Sequence, residues 1–140
     1  MLYLDSNAIA KIYLTDEQGR EAVFAALETC PTIATCAITY AEVMGLLARA
    51  FHDRRLSETE YNAAASAFAQ EWSLLEVQDV TFLLSQLAGQ LMKAQPGLRA
   101  MDALHLAAGL ALRQSVALRF LTFDTRLENA VRKLMPEAVA

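Results

Sequence analysis

The chain has 140 residues, 55% of them hydrophobic, and a formal net charge of −4. That length suits a single domain around one core, and no stretch reaches the roughly 18 uninterrupted apolar residues of a membrane span. The negative balance has the wrong sign for a general nucleic-acid coat; it suits a chain that gathers carboxylates around a cation or pairs with a basic partner.

Helical and extended patterns alternate from end to end, which predicts an α/β fold with a central, mainly parallel sheet flanked by helices. A strand is expected over residues 2–5, then helices over about 7–14 and 17–28, the second closed by Pro31. Residues 32–35 are rich in β-branched side chains and read as a strand. A helix follows, beginning after Thr39 and running to about His52, with Val43, Leu46, Leu47 and Ala50 as its apolar stripe. Ser57-Glu58-Thr59-Glu60 is a capping box opening a helix to about Trp72. A strand over 74–77 leads to Asp79 as the cap of a helix that ends near Gln95, before Pro96-Gly97. The pattern closes with a helix over about 100–114, a strand over 118–123, and a helix capped by Asp124 that runs to about Leu134. Residues 136–140 have room for a short edge strand or for no regular element.

Cys30 and Cys36 match no common zinc spacing and read as buried thiols in a reducing compartment. The start of the chain, Met1-Leu2-Tyr3-Leu4-Asp5, lacks the basic and long apolar regions of a secretory signal, so a cytoplasmic location is expected.

Four acids occupy equivalent places in this layout. Asp5 ends the first strand, Glu42 and Asp102 fall in the first turns of helices, and Asp124 opens the last helix. In a parallel sheet the strand C-termini and the following helix N-termini share one edge, where such folds place ligands. Carboxylates gathered there would suit a hard divalent cation such as Mg²⁺ or Mn²⁺, which activates water and neutralises a phosphoryl group. The plainer reading of each acid is a helix cap or a partner of the helix dipole, and Thr39-Tyr40-Ala41-Glu42 is itself a capping-box pattern. Spacing leaves both readings open.

Leu4-Asp5-Ser6-Asn7, Thr39-Tyr40-Ala41-Glu42-Val43, Asp102-Ala103-Leu104-His105-Leu106-Ala107 and Leu121-Thr122-Phe123-Asp124-Thr125-Arg126-Leu127 resemble, in order and at the right length, the motifs of PIN domains. The likeness is greatest to the VapC-type toxins of toxin–antitoxin pairs. This resemblance implies a single PIN domain over residues 1–140, a PIN-like three-layer fold, and Mg²⁺- or Mn²⁺-dependent endoribonuclease activity. It maps the acidic quartet onto Asp5, Glu42, Asp102 and Asp124 as catalytic and metal-holding residues, with Asn7 and Thr122 in supporting places. It also implies an RNA substrate, a cognate antitoxin as partner and a homodimer. A basic side chain of the antitoxin, most simply an Arg, is expected to silence the acidic site.

Outside the quartet, Lys11, Arg99 and Arg126 lie near the acidic motifs and are candidates to hold the RNA backbone. His105 reads as a packed residue supporting the site, with a ligand or general base as the alternative. His52, Arg49, Arg54 and Arg55 sit at a helix end and read as dipole partners and surface charge. Phe24 and Phe68, on alanine-rich helices, are expected to offer apolar surface to a partner. An aspartyl-nucleophile phosphotransferase is disfavoured because Asn7 stands where its second acid belongs. A non-catalytic PIN-fold binding module or regulatory partner protein is the remaining alternative.

Overall fold

Short strands with alternating faces form the centre of the molecule, the inner ones apolar and the first fully buried. In the computed structural model, which describes residues 1–30 and 32–140, β1 (Leu2–Leu4), β2 (Ile33–Cys36), β3 (Glu76–Gln78) and β4 (Arg119–Leu121) pair in the order β3-β2-β1-β4. Every pairing is parallel. The helices are α1 (Ser6–Tyr13), α2 (Arg20–Thr29), α3 (Ile38–His52), α4 (Glu58–Glu71), α5 (Phe82–Ala94), α6 (Ala100–Arg113) and α7 (Thr125–Leu134).

Because successive strand residues face opposite sides, the sheet divides two cores. Tyr3, Ala34 and Phe120 pack with Leu84 and Leu91 of α5, Leu106 of α6, and Leu127 and Val131 of α7. Leu2, Leu4 and Leu121 pack with Ile9 of α1, Val23 of α2, Val43 and Leu47 of α3, and Phe68 of α4. The result is a three-layer α/β architecture with helices on both faces of a parallel sheet. Burial of each large side chain in these cores stabilises the fold by about 1.5–3 kcal/mol.

The chain moves from β1 outward to β2 and β3, then crosses back to place β4 on the other side of β1. The order therefore reverses beside β1, and the crevice at the strand C-termini opens there. Leu4 is paired with Leu121, so the residues that follow them, Asp5 and Thr122, emerge side by side.

Two glycines permit close approaches. A Cβ on Gly109 would sit 2.7 Å from the Phe120 ring, which stacks on Tyr3 with centroids 4.5 Å apart. The bare backbone lets α6 approach the sheet, and His105, one turn earlier, meets Tyr3. Gly19 has φ +84°, and a Cβ there would sit 2.5 Å from Cε1 of Phe123.

Several local expectations need correction. Asp5 is not a strand residue but the cap of α1, accepting from the Ala8 N–H. Gly19, in the left-handed region, delays α2 until Arg20. Helix α3 begins before Thr39, and its first turn has no side-chain cap. The Thr39 hydroxyl instead meets Thr35 Oγ1 at 2.7 Å, so Thr39 cannot form the expected box with Glu42, which falls in the second turn. Thr81, not Asp79, caps α5, because its hydroxyl reaches the Leu84 N–H. Residues Trp72–Leu74 form a 3₁₀ turn and push β3 to Glu76–Gln78. Ser57 and Asp124 cap α4 and α7 as read from the sequence. At the C-terminus a 3₁₀ turn, Pro136–Ala138, is followed by a single parallel bridge from Val139 to Phe120 in place of a strand. Pro31, expected to close the second helix, lies outside the described residues.

Candidate active site

The strand ends and helix starts on this edge surround a cleft of about 270 Å³ lined by Asp5, Ser6, Asn7, Glu42, Gly45, Leu46, Arg49, Asp102 and His105. Three of the four candidate acids share its wall. Asp124 is not among the lining residues, but its charge acts on Asp102.

Asp5 is almost fully enclosed and both its oxygens are used. Oδ1 accepts from the Ala8 N–H at 2.8 Å and Oδ2 from the Thr122 hydroxyl at 2.6 Å. Burial pushes its carboxyl above the usual aspartate range, and the bonds from Thr122 and Ala8 only partly offset this. Thr122 Oγ1 in turn accepts from the Asp124 N–H at 3.1 Å. Asp124 Oδ1 accepts from the N–H groups of Arg126 and Leu127. One threonine hydroxyl thus links two acids from neighbouring strand ends.

Asp102 lies in the first turn of α6, and its Oδ2 is buried without a hydrogen-bond partner among the described residues. Burial, then the charge of Asp124, raise its carboxyl; the Arg99 amide, His105 and the Arg99 guanidinium pull the other way. A buried carboxylate oxygen without a donor costs free energy, and at a cleft wall it could be satisfied by a positive occupant.

Glu42 faces the cleft from α3. Burial pushes its carboxyl up, but bonds from His105 and Ser6 outweigh it and hold the group below the usual glutamate range. His105 Nε2 is 3.1 Å from Glu42 Oε2, and the Ser6 hydroxyl donates to the same oxygen. On the other side of the ring, Nδ1 is 2.9 Å from the Tyr3 hydroxyl. Burial, followed by the thiol of Cys36 and the charges of Asp5 and Glu42, keeps the Tyr3 phenol protonated well above its usual range.

The donor set is one that a hard cation prefers: carboxylate oxygens, one of them unpartnered. Among the described residues, no three His, Cys, Asp or Glu side chains gather closely enough to enclose an ion by themselves. A cation here would complete its shell with water, as Mg²⁺ commonly does.

The candidate RNA-binding cations separate. The Lys11 ammonium is bound to Glu17 at 3.3 Å and lies 4.7 Å from the Phe123 ring centroid, away from the cleft wall. Arg99 and Arg126 are exposed; neither lines the cleft, although the Arg99 charge reaches Asp102. The cation that does line it is Arg49, read from sequence as helix-end charge. Its signal was its spacing: Glu42, Gly45, Leu46 and Arg49 recur at i, i+3, i+4 and i+7 and share one helix face. Ser6 also lines the cleft; a serine between Asp5 and Asn7 carries no charge or spacing signal that sets it apart in the sequence. Phe68, expected to offer partner surface, is fully enclosed by Tyr13, Tyr40 and Trp72, so its position is one of packing; Phe24 is partly exposed.

A model of the PIN domain matches residues 2–133. The chain belongs to the PIN-domain family. Relatives of this PIN domain include Ribonuclease VapC45 and Ribonuclease VapC49 from two strains of Mycobacterium tuberculosis. Each is 32% identical over 112 residues, covering 80% of this chain and 76% of the relative. Among solved structures, a toxin–antitoxin complex from Klebsiella pneumoniae superimposes with a TM-score of 0.69 at 20% identity, covering 100% of this PIN domain and 97% of that chain. Mycobacterium tuberculosis VapC20, described as a sarcin-ricin loop cleaving toxin, gives 0.64 at 19% identity, covering 93% and 95%. These two likenesses bear on the fold. No helix of this PIN domain is long and apolar enough to cross a membrane among the described residues.

Proposed function

We propose that this PIN domain is an endoribonuclease toxin of a type II toxin–antitoxin pair, dependent on Mg²⁺ or Mn²⁺ and held silent by a cognate antitoxin. The observation that carries this reading is the unpartnered, buried Asp102 oxygen in a cleft shared with Asp5 and Glu42. The names of the VapC relatives supply the substrate class.

Asp5 and Asp102 are the principal ion-holding groups in this reading, with Glu42 and Asp124 completing the acidic surround. When bound, the cation supplies an acidified water and neutralises charge on the phosphoryl group. The chain's own residues hold the parts in place. Thr122 and the Ala8 N–H orient Asp5, which leaves it little freedom to turn away from the cleft. Ser6 and His105 orient Glu42. Arg49 offers a guanidinium to a phosphate of the backbone. The acids exclude a second anion unless positive charge accompanies it, so the cleft discriminates between loaded and unloaded states. An antitoxin Arg placed among the carboxylates would occupy that same positive position. The toxin acts in the cytoplasm as a homodimer, with each cleft open to RNA.

The test is cleavage of a mixed cellular RNA pool with chelator, with Mg²⁺ and with Mn²⁺, for the wild type and for Asp5→Asn. Metal-dependent cutting that falls at least a hundredfold in Asp5→Asn is expected. A folded wild type that cuts nothing with Mn²⁺ present is a binding module on the PIN fold, and the proposal is then wrong.

A further inference from the structure

The Tyr3 hydroxyl is buried in β1, and its one hydrogen-bond partner among the described residues is His105 Nδ1, at 2.9 Å. If Nδ1 carried the proton, the phenolic hydrogen would have no acceptor in a site closed to water, a costly arrangement. The phenol therefore donates to a bare Nδ1, and the ring carries its hydrogen on Nε2. That hydrogen points to Glu42 Oε2, 3.1 Å away, and to Ser6 Oγ, also at 3.1 Å. The direction of the chain is fixed from the sheet outward: Tyr3 to His105 to Glu42.

Both donors to Glu42, the imidazole and the Ser6 hydroxyl, converge on Oε2. Oε1 is left as the oxygen available to the cleft that Glu42 lines. A glutamate on a helix has three side-chain torsions to fix, and an unrestrained one samples many rotamers. The stacking of Tyr3 on Phe120, which lies against Gly109, holds the first donor of the chain rigidly.

We propose that Tyr3 and His105 are positioning residues that act through Glu42, holding its Oε2 so that a single carboxylate oxygen faces the ion in the cleft. The proposal rests on the reading of Glu42 as an ion-facing group. In this reading His105, although it lines the cleft, acts through Glu42 by setting its orientation, an arrangement whose loss weakens metal sites by about 10–100-fold.

Two measurements test it. The first needs no metal: ¹⁵N shifts of the His105 ring in the metal-free protein near neutral pH. A proton on Nε2 is expected in the wild type, with mixing of the two tautomers in Tyr3→Phe, which loses one oxygen and keeps its ring stacking. A proton on Nδ1 in the wild type overturns the chain of donors. The second is Mn²⁺ affinity by calorimetry for the wild type, Tyr3→Phe, His105→Leu and His105→Gln, with folding checked by circular dichroism. The expected order is a several-fold loss in Tyr3→Phe and at least a tenfold loss in His105→Leu. His105→Gln, whose amide N–H reaches the place of Nε2, should recover most of it. Equal affinity in wild type and Tyr3→Phe, or no recovery by Gln over a folded Leu variant, overturns the proposal. If the wild type itself takes up no Mn²⁺, the nuclease reading fails, and the ring shifts alone decide whether the donor chain exists.

Discussion

Thr122 Oγ1 donates to Asp5 Oδ2 at 2.6 Å across the junction between β4 and β1. The pair exists because Leu4 and Leu121 are in register, so one residue later a hydroxyl faces a carboxylate. The same oxygen accepts from the Asp124 N–H, and a threonine thereby ties together acids that stand 119 positions apart in the sequence.

Replacing Thr122 by Val keeps the shape and removes both bonds. Asp5 Oδ2 then loses its donor in an enclosed site, a loss of about 1–3 kcal/mol. Denaturant unfolding of Thr122→Val should show that loss, and RNA cleavage should fall about tenfold or more. Thr122→Ser should keep most of both. Unchanged stability in the Val variant would show that Asp5 finds another partner.

Asp102 predicts the opposite sign for stability. Its Oδ2 is unpartnered and its carboxyl sits near Asp124. Asp102→Asn removes the buried charge and the repulsion, so the metal-free protein should gain about 1 kcal/mol, roughly 3 °C in melting temperature. Scanning calorimetry in chelator reads the gain. Cleavage should be lost in the same variant, and added Mn²⁺ should raise the melting temperature of the wild type more than that of Asp102→Asn.

Acid stability should depend on Arg55. Its guanidinium makes two bonds to Asp16, both at 2.8 Å, and one to Glu17 at 2.7 Å. The bond from Arg55 holds Asp16 below its ordinary value of 3.8; Arg55 and then Lys11, against an opposing effect of burial, do the same for Glu17 relative to 4.5. Folded pKa values below the unfolded ones mean that the unfolded chain binds protons first as the pH falls. The stabilisation is present above the unfolded values and is lost as the pH drops through the folded ones. In Arg55→Ala, stability should therefore fall less steeply between about pH 5 and pH 3 than in the wild type. The groups are largely solvent-exposed, so added salt should shrink the difference.

Gly19 tests the loop before α2. With φ +84° and Phe123 Cε1 2.5 Å from where a Cβ would lie, Gly19→Ala combines backbone strain with a clash. A loss of about 1–3 kcal/mol is expected. Phe123 precedes Asp124 and supports the Lys11 ammonium, so displacement of this ring should also lower cleavage. A stability equal to wild type would mean that the loop relaxes without cost.

The layered fold was legible because its signals are local. The apolar run of β1, the Ser57 capping box and the Asp124 cap each act within a few residues. Thr39 misled for the same reason. Its motif looks like a cap, yet α3 already starts at Ile38 and the Thr39 hydroxyl meets Thr35, four residues earlier in β2, so two local partners compete and the capping pattern names the wrong one. Arg49 and His105 show the same limit at the site. Their roles depend on which helix face is turned to the cleft, and that is set by how α3 and α6 pack on the sheet. The relation of Tyr3 to His105 spans 102 positions and follows from the close approach at Gly109, which a lone glycine in a helix does not announce.

The bridge from Val139 to Phe120, with the Ala140 N–H donating to the Phe120 carbonyl, occupies the outer side of β4. An edge strand with free N–H and C=O groups is a template for pairing with another molecule. The last five residues act here as a fence: they use up hydrogen-bonding positions of Phe120 that a neighbouring chain would otherwise find. A chain shortened after Met135 should retain its cleft and become prone to self-association through β4, visible as growth in light scattering on concentration.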